Sequence, residues 1–134
     1  MICRFLLITL SLLAFGRPSF SQSLSTNLPI VVITSDGEIL DDPKVGAGMK
    51  IIYNGAGQTN NYSDITNPAS LNYDGRIAIE IRGSSSQNSP KKSYGFETRQ
   101  DDNVDNRNVS LLGLPSENDW ILNGLIFDPS LMRD

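Results

Sequence analysis

Hydrophobic and polar positions alternate most strictly between 75 and 99, GRIAIEIRGSSSQNSPKKSYGFETR. Ile77, Ile79 and Ile81 fall on one side of an extended chain, with Arg76, Glu80 and Arg82 on the other. A period of two with β-branched residues on one side predicts a half-buried strand. The pattern stops at Gly83 and a polar run, bends at Pro90 and restarts at Tyr94. From there Tyr94, Phe96 and Thr98 share a side opposite Glu97 and Arg99. Two strands therefore flank a loop that holds Arg82, a run of three serines, Gln87, Asn88, Lys91 and Lys92.

The same signals are weaker elsewhere. The run LPIVVIT at 28–34 predicts a strand ended by the turn pair Asp36-Gly37. A second strand is expected over 44–54, with Met49, Ile51 and Tyr53 on one side. Between them Glu38, Asp41 and Asp42 lack the spacing of a calcium loop and read as an exposed turn. The glycines of GAGMKIIYNGAG precede no helix pattern and fit turns better than a phosphate cradle. Residues 58–74 read as a long polar surface loop and 100–108 as a solvated acidic turn. Ser116, with Asp119 three positions on, resembles a helix start. Trp120, Ile121, Leu122, Leu125, Ile126 and Phe127 form the densest apolar cluster outside the leader. Asp128 as N-cap and Pro129 at the first helical position predict a second helix.

Residues 1–21 carry a different pattern. Arg4 precedes the apolar run FLLITLSLLAF, too short to span a bilayer, and the small residues Ser19 and Ser21 suit cleavage before Gln22. This is expected to be a secretory signal peptide, which places the product outside the cell, at its surface or in a periplasm, with no stable transmembrane segment. Removing Arg4 and Arg17 takes the net charge from −4 to −6, which argues against nucleic acid as a partner. The chain has no His, and its one Cys, Cys3, lies in the leader. Histidine bases, cysteine nucleophiles and the usual zinc sets are thereby excluded.

Three cations around a hydroxyl-rich loop make a candidate anion site. Arg82 can fork onto two phosphate oxygens, and Lys91 or Lys92 can offer a point charge. The plainer alternative is a solvated hairpin tip.

Three separated blocks then occur in order: RGSSSQ…PKKSY.FE.R at 82–99, VSLLGLPSENDWIL at 109–122 and DPSLMR at 128–133. Together they resemble the CotH family of spore-coat protein kinases. The resemblance implies an α+β chain: a β-rich segment over 22–73, then from 74 to 134 the start of the N-terminal lobe of an atypical protein-kinase-like fold, truncated. It also implies ATP and a divalent cation, Mg or Mn, for the full-length parent, with phosphoryl transfer to Ser or Thr of a protein substrate. Lys92, Lys91 and Arg82 would be the nucleotide-contacting residues. Adjacent strand residues point to opposite faces, so only one lysine would meet a phosphate, Lys92 if Tyr94 and Phe96 face the nucleotide and Lys91 if that pair packs against a helix. The family's catalytic and metal-binding aspartates would lie beyond Asp134, so no catalytic or metal-binding residue is expected here. The chain is then expected to be an inactive N-terminal fragment that needs the remainder of its kinase domain. The alternative is a non-catalytic secreted structural or surface-binding module that keeps the same fold.

Overall fold

The computed structural model describes residues 23–83, Asn88 and 90–124. The leader, the serine run of the hairpin loop and the helix start expected at Asp128 lie outside these residues. The described chain is β-rich. Its main body is one antiparallel sheet in the order β2(Ile30–Ser35), β3(Val45–Ile52), β5(Leu71–Arg82), β6(Ser93–Thr98) and β7(Asp119–Leu122). A short ladder joins β1(Ser25–Thr26) to β4(Asn60–Asn61). Two 3-10 turns, Tyr62–Thr66 and Pro68–Ser70, lead into β5. Among the described residues no α-helix accompanies the sheet, so the helical half expected of an α+β fold is not seen there.

Alternation drives this arrangement. Ile77 pairs with Ala47 on one side and Thr98 on the other, and Ile79 pairs with Val45 and Phe96. Their side chains therefore stand on one face, where they bury against Met49, Ile51, Tyr73 and Leu111. The segment after β6 covers this face. Thr98 is fully buried and donates through Oγ1 to Arg107 O at 2.6 Å, and Leu112 N donates to Asn72 Oδ1 at 2.8 Å. At ~25 cal/mol per Å² of apolar surface, such a face supplies most of the stabilising energy available to a chain this small.

Two expectations are corrected. Residues 58–74 are not a continuous loop: they contain β4, both 3-10 turns and the start of β5. Residues 119–122 are a strand, not the first turns of a helix begun at Ser116. There Trp120 stands opposite Phe96 and Leu122 opposite Tyr94, so alternate residues reach the apolar face. Ile121 is left 54% exposed on the other face. Pairing with β6 outweighs a weak local capping signal, as tertiary context commonly does. The division expected between 73 and 74 falls inside β5, and the strands on both sides of it share one sheet.

Candidate functional site

The second face of the sheet carries the charges. The alternation that sends Ile77, Ile79 and Ile81 inward turns Arg76, Glu80 and Arg82 outward on β5. Gly95 and Glu97 follow on β6, and Asp119 and Ile121 on β7. Lys44 enters from the residue before β3. Together Lys44, Glu80, Arg82, Gly95, Asp119 and Ile121 line an open cleft of about 260 Å³. Gly95 contributes no side chain to its floor, and Glu80 Oε1 lies 3.5 Å from where a Cβ would stand.

A connected ion-pair network runs beneath the cleft. Lys44 Nζ donates to Glu97 Oε1 and lies 3.8 Å from Glu80 Oε1. Glu97 Oε2 accepts from Arg99 Nη2 at 2.6 Å, and Arg99 Nη1 donates to Val104 O in the following turn. Side chains 26% exposed at Lys44 and 19% at Glu97 leave this pair less solvated than an ordinary surface ion pair. The hydrogen bond from Lys44 holds the Glu97 carboxyl below the usual carboxylate range against the opposing effect of burial, with the charge of Arg99 adding to it. Burial alone would lower the Lys44 pKa, but the bond to Glu97 and the charges of Glu80 and Asp119 outweigh it and raise the value. Farther along the same face Arg76 pairs with Asp36, and Lys50 Nζ lies 3.0 Å from Asp74 Oδ2. A Cβ on Gly46 would approach Asp36 Oδ2 to 2.7 Å and Arg76 Nη2 to 3.0 Å, so the bare glycine makes room for that pair.

Of the residues expected from the sequence, Arg82 ends β5 and borders the cleft. Lys91 and Lys92 are exposed in the turn before β6 and do not line it. Because β6 begins at Ser93, the strand phase used to separate the two lysines does not extend to them. Tyr94 and Phe96 face the apolar side. The backbone of the two lysines is held from below: a Cβ on Gly124 would lie 2.9 Å from Lys91 O and 3.1 Å from Lys92 O, and Gly124 N donates to Ser93 Oγ at 2.9 Å. The structure brings Arg82 together with Lys44, Glu80 and Asp119, none of which sequence reading placed at a site. The outward phase of Glu80 was visible in the sequence. The approach of Lys44, 53 positions from Glu97, was not.

The nucleotide and metal expected from the sequence would find unequal fits on this surface. Arg82 at the cleft rim and Lys91 and Lys92 in the adjoining turn supply donors of the kind phosphate oxygens take. Among the described residues no group of three or more acidic, His or Cys side chains is placed to hold a metal ion.

Residues 79–134 match the family model described as CotH kinase protein. The match starts inside β5 and takes in the hairpin with Arg82, Lys91 and Lys92, the Glu97–Arg99 pair and β7, while Lys44 lies outside it. It points to a kinase-like function. No curated protein and no solved structure matches the chain. Among the described residues no helix is long and apolar enough to cross a membrane.

Proposed function

We propose that this chain supplies the β-sheet part of a secreted CotH-type atypical kinase, transferring phosphate from ATP to Ser or Thr of a protein substrate. The observation that carries the reading is the family match over the β5–β6 hairpin, with Arg82 opposite Ser93 and Lys91 and Lys92 in the turn just before it. In this role Arg82 and one of Lys91 and Lys92 neutralise phosphate oxygens, and Lys92 is the preferred lysine. ATP bound with Mg or Mn supplies the transferable phosphoryl group. The sheet residues bind and orient it, and no described residue is assigned as catalytic acid, base or metal ligand. Phosphoryl transfer depends on positioning and charge neutralisation, so a cationic hairpin over the phosphates is a meaningful share of the work. Acting alone, the chain binds without turning over.

The test is calorimetric titration of the chain with ATP and Mg, beside a phosphate-transfer assay. Lys92→Ala should weaken binding by more than the ~0–1 kcal/mol of an exposed charge, and Lys91→Ala by less. Equal losses would remove the single-lysine assignment, and steady transfer by the chain alone would overturn its inactivity. One observation favours a second reading, a non-catalytic surface module of the same fold: Lys44, Glu80, Glu97 and Arg99 already neutralise one another beside the cleft. That reading expects no nucleotide binding at all.

A further inference from the structure

Two Asn-Gly steps occur in the described chain, at Asn54-Gly55 and Asn123-Gly124. Such steps are open to self-modification, because the glycine nitrogen can reach the preceding side-chain carbonyl with no Cβ in the way. The fold treats the two differently. Gly124 is buried, its N–H is bound to Ser93 Oγ at 2.9 Å, and a Cβ on it would lie 2.9 Å from Lys91 O and 3.1 Å from Lys92 O. Asn123 Oδ1 also accepts from Ser93 Oγ, at 3.3 Å. Asn54 is exposed, and Gly55, at φ +110°, has an N–H that finds no acceptor among the described residues.

We propose that Asn54 is a site of spontaneous deamidation left open by the fold, and that the same reaction is shut at Asn123. Gly55 N bonds to Cγ of Asn54, the side-chain nitrogen leaves as ammonia carrying the amide proton, and a succinimide closes. Water then opens the ring at either carbonyl, giving aspartate or isoaspartate at position 54. No electrons are exchanged, and water is the one added reactant.

The product changes what surrounds it. Asn54 Nδ2 donates to Thr59 O at 3.0 Å and to Asp64 Oδ2 at 3.4 Å. After deamidation a carboxylate faces that carbonyl and that acid, so two attractions become repulsions. Asn54 N also donates to Oδ1 of the fully buried Asn60 at 2.7 Å, and Asn60 Nδ2 holds Leu28 O at 2.9 Å. An isoaspartate adds a methylene to the main chain just after this anchor, loosening the 54–64 segment and its hold on the N-terminal strands.

The experiment is peptide mass spectrometry of the whole chain aged in mildly alkaline buffer, native and in urea. At position 54 the exposed side-chain amide is held at Thr59 O, but the reacting Gly55 N–H is unbound among the described residues. It should convert in the native chain within a few-fold of its rate in urea and faster than position 123. Position 123 should convert roughly tenfold more slowly when native, the factor one retained hydrogen bond can supply. Ser93→Ala, which removes the oxygen holding Gly124 N, should raise conversion at 123 several-fold and leave 54 unchanged. Equal native rates at the two positions, faster conversion at 123, or no response to Ser93→Ala would overturn the proposal.

Discussion

The two faces of the central sheet are made by the same strands and held by different physics. On one, Ile77, Ile79, Met49, Ile51 and Phe96 exclude water against the segment after β6. On the other, outward residues of those strands and residues just beyond their ends form the pairs Asp36–Arg76, Lys50–Asp74, Lys44–Glu97 and Glu97–Arg99. Apolar burial is non-directional and large, whereas partly solvated ion pairs contribute little net stability and much orientation. The apolar face therefore keeps the sheet folded. The charged face decides which groups meet at its cleft. This separation leaves a fold of modest size free to change its charges without losing its core.

Substitutions can break that comparison in order of size. Ile79→Ala, at a position 1% exposed in the middle of the sheet, should cost ~2–5 kcal/mol in urea unfolding, from lost burial and the cavity left behind. Gly124→Ala drives a Cβ against the backbone carbonyls of Lys91 and Lys92 and should cost ~1–3 kcal/mol. It should also move the amide resonances of 91–93, since backbone cannot swing aside as a side chain can. Glu97→Gln should cost only about 1 kcal/mol, because Lys44 keeps Glu80 and Arg99 keeps Val104 O. Asp36→Asn, at an exposed pair, should be the mildest, with no measurable change in melting temperature.

The pH dependence sharpens the same contrast. Glu97 titrates below its ordinary value in the folded chain, so its contribution is whole above the ordinary glutamate range and is lost as pH falls through the depressed folded value. Lys44 titrates above its ordinary value, so its contribution is whole below the ordinary lysine range and is lost as pH rises through the raised one. Urea stability should be flat across neutral pH and fall at both extremes. Glu97→Gln should reduce the acid fall, and Ile79→Ala should shift the whole profile without changing its shape.

The strands were legible where alternation was undisturbed. Ile77, Ile79 and Ile81 announced β5, and Tyr94 and Phe96 announced β6. Met49 and Ile51 announced β3. The beginning of β5 was hidden because Asn72, Asp74 and Gly75 obscure a strand whose inward residue is Tyr73, its ring folded over Gly75. The strand at 119–122 leaves no such signal, because three adjacent apolar residues have no visible period. Only pairing with β6 shows that Trp120 and Leu122 face inward and Ile121 outward. For the site, Arg82 could be read as an outward cation at a strand end. Its neighbours at the cleft could not, because the meeting of Lys44, Asp119 and β5 depends on strand order rather than on any local motif.

Amide chemical-shift mapping during titration with ATP and Mg tests most directly the proposal that the charged face, at its hairpin end, contacts nucleotide. Concentration-dependent shifts confined to Arg82, 90–95 and the cleft residues Lys44 and Asp119 are expected, with the covering segment 107–117 silent. Saturable shifts centred on the apolar face, or none at any residue, would contradict it.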